Sequence, residues 1–138
     1  MNKDLILLPV LIQLLLTIKQ YILLLAAKKK AVAAGEVDLE RRGLYDDAWP
    51  ISVVKVNNSI RSQYEIPVLF YVLIGVFWAL DAVGPVVHGL AWVFVLSRVA
   101  HAYVHTGSNY VPHRLRFFSV GVFSVILLAV LALYRLLG

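Results

Sequence analysis

Four apolar runs divide the chain, at Leu5–Ala27, Val53–Leu80, Val86–Thr106 and Phe117–Leu137. At 1.5 Å per residue the first reaches roughly 34 Å, enough for a hydrocarbon core of about 30 Å. The runs are read as four membrane spans, at residues 5–27, 53–80, 86–106 and 117–137, within one domain covering 1–138. An even number of spans joined by short connections predicts an all-α, up-down four-helix bundle. Lys28–Pro50 is read as a polar loop and Asp81–Pro85 as a short turn. Gly107–Pro112 is read as a second loop, with Asn109 and Pro112 as breakers. Pro67 is expected to kink the second span near Gln63–Glu65. A cleaved signal peptide is the rival reading of the first run. That run is too long for a signal core of about 7–15 residues, and Met1-Asn2-Lys3-Asp4 carries one cation and one anion.

Two polar strips interrupt this apolar pattern. One is Asn58, Arg61, Ser62 and Glu65, leading into the second span; the other is Arg98, His101 and His105, closing the third. Steps of three, four and seven place each strip on one helix face. A charged side chain facing mid-bilayer costs about 2.5–3.5 kcal/mol on insertion scales. The strips are therefore expected to face each other, a partner subunit or a polar ligand.

Composition supports a membrane protein. Of 138 residues 61% are hydrophobic, against about 45–50% in a soluble domain. There is no cysteine, which removes disulfides, thiolate metal sites and a cysteine nucleophile. A net charge of +5 can signal nucleic acid; in a multi-pass chain it is read instead through the positive-inside rule. Lys28, Lys29, Lys30, Arg41, Arg42, Lys55, Arg114 and Arg116 flank one side, and Lys3 and Arg135 the other. Both termini are thus expected outside, with the two longer loops in the cytoplasm.

The stretch Arg98-Val99-Ala100-His101, His105-Thr106-Gly107 and Pro112-His113-Arg114 resembles the third-span signature of the MAPEG family, the membrane-associated proteins of eicosanoid and glutathione metabolism. The likeness is to its microsomal prostaglandin E synthase branch, in a bacterial-type member, which places the chain in a bacterial inner membrane. Asn57–Pro67 resembles the family's second-span motif, Arg-x3-Asn-x2-Glu followed by Pro. The resemblance implies a homotrimer with glutathione between subunits near the cytoplasmic side. It implies that Glu65, Arg98, His101 and Arg114 occupy glutathione-site or adjacent positions, with Arg114 beside the thiolate. Asn58 stands where the family has Arg, Ser62 where it has Asn, and His105 where it has Tyr. A cationic contact at the end of span one becomes Ala26, with Lys28 the nearest replacement.

The same residues read as an anion-and-thiol site. Arg61, Arg98 and Arg114 suit carboxylates through bidentate bonds, and Glu65 suits an amine. A guanidinium beside a thiol favours the nucleophilic thiolate. Other readings stand beside these. Arg61 and Glu65 form an i,i+4 ion pair or meet across the trimer interface, Arg98 snorkels or caps its helix, and His101 is a hydrogen-bonded core residue. His101 and His105 have metal-ligand spacing, but no third ligand follows on that helix. Haem ligation needs a facing histidine, whereas His88 lies at the opposite membrane side and His113 in a loop.

The expected function is glutathione-dependent transferase or peroxidase chemistry on lipophilic electrophiles. Arg114 is the catalytic residue; Asn58, Arg61, Glu65, Arg98, His101 and His105 bind glutathione, the co-substrate. Expected partners are copies of the chain, membrane lipids and a small lipophilic substrate. The rival is a non-catalytic protein of the same fold that binds a lipid or another anionic ligand, or stabilises an assembly. A transporter or channel subunit rests on buried charge alone.

Overall fold

The structure is a computed structural model that describes residues 2–138, and every regular element among them is helical. A 3-10 turn, Lys3–Ile6, feeds helix α1, Leu7–Ala33. Helices α2 (Ile51–Gln63) and α3 (Ile66–Ala79) together form the second span. Helices α4 (Pro85–Thr106) and α5 (Val111–Leu137) form the third and fourth. The expected all-α architecture with four membrane-spanning helices is thus present.

Two expected boundaries differ. The first helix continues six residues beyond Ala27, through Lys28-Lys29-Lys30, and ends at Ala33. Lysine and alanine are strong helix formers, and cations near a helix C-terminus complement its dipole. The end is set by Gly35 at φ 70°, where its N–H donates to the Val32 carbonyl and that of Glu36 to the Ala31 carbonyl, both at 3.1 Å. Glycine takes this left-handed position without a Cβ penalty. The second difference is at Pro112, which lies in the first turn of α5 rather than in the preceding loop. Its missing N–H is one the helix start does not use, and its fixed φ suits the turn. Pro67 and Pro85 open α3 and α4 in the same way, and Pro50 directly precedes α2.

The kink expected near Gln63–Glu65 is a full break. Tyr64 and Glu65 leave helical geometry, with Glu65 at φ −95° and ψ −103°. Proline disfavours helical backbone shortly before it and cannot donate back to the preceding turn.

Helix α4 is central, touching α1, α2 and α5, while α3 packs on α5. The apolar core lies toward the α3–α4 turn, where Phe70, Ile74, Phe77, Ala91, Phe94, Val95 and Leu128 are almost fully buried. Phe70 stacks on Phe94 with ring centroids 4.3 Å apart. Gly121, Val125, Leu128 and Ala132 form the inward stripe of α5. Ala129, another small residue on α5, faces outward. The outer surface is apolar: Leu15, Ile18 and Ile22 on α1 and Phe123, Ile126 and Val130 on α5 are exposed. Lipid is the solvent that such a surface requires. The end near the α3–α4 turn is tied by a Lys3–Asp81 ion pair at 2.9 Å and by Trp78 Nε1 donating to Asp4 at 3.2 Å.

Candidate functional site

The polar strips meet at the other end of the bundle. Helix α1 contributes first, and with inverted amphipathicity. Its buried residues include Gln13 and Gln20, while its leucines face out. Gln13 Nε2 donates to Gln63 Oε1 at 2.7 Å, both side chains buried. This bond ties the first span to the last residue of α2, directly before the break. Neither glutamine was singled out from sequence, although Gln13 and Gln20, seven apart, share a helix face. Substituting leucine at Gln13 and Gln63, singly and together, is expected to show coupling of roughly 1 kcal/mol in a double-mutant cycle of unfolding in detergent. Additive effects would show that the bond contributes nothing.

At the break the Ser62 carbonyl keeps only a long bond, 3.4 Å, from the Glu65 N–H, and Arg98 adds a second donor there. Its Nη2 donates to Ser62 Oγ at 2.9 Å and to the Ser62 carbonyl at 3.3 Å. Arg98 is 1% exposed and has no carboxylate partner within ion-pair distance among the described residues. Its Nε and Nη1 have no hydrogen-bond partner there either.

In front of Arg98 lies a cavity of about 410 Å³ lined by Asn58, Arg61, Ser62, Glu65, His101, His105, Arg114, Leu115 and Phe118. Six of the seven residues predicted from sequence therefore share one cavity. The seventh, Arg98, stands behind its wall on Ser62. Leu115 and Phe118 were not anticipated; they are one and four residues after Arg114 on α5, and they supply an apolar wall.

Each cavity residue is placed by its element. Arg61 pairs with Asp46 at 3.5 Å, so its nearest acid comes from the loop before α2 rather than from Glu65. Glu65 sits in the break and has no ion-pair partner among the described residues. His101 and His105 are buried one turn apart, with ring centroids 5.4 Å apart and edge to face. Nδ1 of each is without a partner. Arg114 Nη1 donates to Asn109 Oδ1 at 2.7 Å. Asn109 has φ 54°, a left-handed position that asparagine tolerates better than most residues. The turn after α4 therefore aims Arg114. Lys55 Nζ donates to the Gly107 carbonyl at 2.7 Å, joining this turn to α2.

The site thus presents two guanidinium groups, one carboxylate and two imidazoles beside an apolar wall, at one end of a membrane-spanning bundle. The four long apolar helices that carry the site define a multi-pass membrane protein. The MAPEG family model matches residues 6–134, and the chain belongs to that family. No curated protein and no solved structure matches it.

Proposed function

We propose that the cavity binds glutathione and directs its thiol at a lipophilic electrophile, as a transferase or peroxidase in a homotrimer. The carrying observation is the gathering of Arg61, Arg114 and Glu65 in one cavity whose far wall is Leu115 and Phe118. A volume of about 410 Å³ lies within the range of small-molecule sites, about 300–1,000 Å³. The donor set fits the ligand's charges. Arg61 suits a carboxylate and Glu65 the amine, while Arg114, held by Asn109, stabilises the thiolate. The apolar wall admits a substrate from the bilayer. The distribution of flanking cations supports outward termini, with the cavity toward the cytoplasmic face.

One observation favours the non-catalytic alternative. Ser62, where the family carries Asn, spends its hydroxyl on Arg98, which leaves less of this strip for a ligand. Titration calorimetry with the purified protein separates the two. Saturable binding is expected at or below millimolar glutathione, with ophthalmate, which lacks the thiol, binding within a few-fold. No binding at that concentration sinks the enzyme reading and leaves the lipid or anion binder.

A further inference from the structure

A second charged concavity lies outside the cavity described above. The 31-residue helical segment Lys3–Ala33 is about 46 Å long, against a hydrocarbon core of about 30 Å. Its Lys3 end is fixed at one membrane boundary by the contacts to Asp81 and Trp78. Its last turns, from about Lys28 onward, therefore stand at headgroup depth on the opposite side.

Lys28, Lys29, Lys30 and Arg42 have no carboxylate within ion-pair distance among the described residues, whereas Arg41 and Arg61 are paired with Asp47 and Asp46. Trp49 organises two of these cations. Lys28 Nζ lies 4.8 Å from the centre of its ring, and its Nε1 donates to the Arg42 carbonyl at 3.2 Å. Two adjoining hollows, of about 220 and 400 Å³, both include Lys28, Arg42 and Trp49 in their walls. The smaller also carries Tyr45, Asn57 and Asp46, whose carboxylate is engaged by Arg61. Membrane-ward of Lys28, the side chains of Ile22 and Leu25 are 64% and 57% exposed.

We infer that Lys28, Arg42 and Trp49 form a headgroup seat for one anionic phospholipid. Its phosphodiester lies between the two cations, and its acyl chains descend along the exposed apolar face of α1. A tryptophan at the headgroup boundary and unpaired cations just beyond a span are what a negatively charged lipid surface recognises. A diffuse polybasic attraction would weigh every cation at that depth alike. The seat does not, because Lys30, two residues from Lys28, lines neither hollow.

The test uses the delipidated full-length protein in a neutral detergent. Short-chain phosphatidylglycerol is titrated, with short-chain phosphatidylcholine and inorganic phosphate as separate arms, and bound molecules are counted by native mass spectrometry. The expected result is one saturable phosphatidylglycerol per chain, bound at least tenfold more tightly than phosphatidylcholine and not displaced by phosphate. Lys28→Gln with Arg42→Gln should remove the preference. Lys30→Gln, a single charge loss at the same depth, should change it less than twofold, whereas Lys28→Gln alone should weaken binding severalfold. Equal losses in Lys28→Gln and Lys30→Gln would reduce the seat to diffuse attraction and overturn it. Equal affinity for phosphatidylcholine, or displacement by phosphate, overturns it in the wild type, whether or not the variants fold.

Discussion

Arg114→Leu is expected to leave the bundle folded and to slow conjugation of a model aryl halide with glutathione by about 10²–10³-fold, the usual loss when an oriented charge-stabilising group is removed. Arg114 sits at the mouth of α5, half-buried, and its only protein partner in the described residues is the side chain of Asn109. No core contact depends on it, so melting in detergent should be unchanged. Calorimetric affinity should fall far less than turnover, because stabilisation of the thiolate is chiefly felt in the transition state. Thiolate absorbance on the protein should disappear with it. Asn109→Gly keeps the left-handed turn while releasing the guanidinium, and should give an intermediate loss. A turnover unchanged by Arg114→Leu would remove the residue from the chemistry.

The second large effect is expected in the packing of α4 on α5, outside the cavity lining. A Cβ at Gly121 would lie 3.1 Å from Ser97 Oγ and 3.6 Å from the ring of Phe94. Ser97 is itself committed to the Phe94 carbonyl at 2.6 Å, and Phe94 is stacked on Phe70. Gly121→Leu therefore drives a branched side chain into the contact between α4 and α5. Within a bilayer, helices associate by packing rather than by transfer from water, so lost contact is not offset by hydrophobic collapse. Destabilisation of about 1–3 kcal/mol or more is expected, read as a clear drop in melting temperature in detergent. Gly121→Ala, whose methyl group is tight only against the Ser97 hydroxyl at 3.1 Å and meets the Phe94 ring at ordinary contact distance, should cost much less. If leucine is tolerated without a drop, the α4–α5 contact is looser than the structure shows.

The spans were legible because each is an apolar run of bilayer length, and the place of the break because Pro67 follows a polar strip, although the sequence pointed only to a kink. The ends were less legible. Hydropathy stops at Ala27, but helix propensity does not stop until Gly35, so the two signals part over six residues. Pro112 was misplaced because a proline ends one helix and begins another with equal ease; only the structure shows which. Five of the six predicted residues in the cavity, Asn58, Arg61, Glu65, His101 and His105, lie on the two strips, because spacing of three, four and seven fixes a face whatever lies opposite; Arg114 came from the family resemblance. What spacing does not give is the partner across the gap. Asp46 opposite Arg61, Asn109 opposite Arg114 and Gln13 opposite Gln63 are separated in sequence by up to 50 residues, and nothing local marks them as pairs.

The bond from Arg98 to the Ser62 carbonyl bears on how related chains should be read. A split helix within a membrane span needs its weakly bonded carbonyls supported whether or not the protein turns anything over. The arginine is then owed to the backbone before it is owed to any ligand. A chain that has lost its chemistry but kept the break would still need it. Its presence in a sequence therefore speaks first for the broken span, and by itself does not separate an active member from an inactive one. Arg114 has no such second duty to the backbone, and it is the better marker of the two.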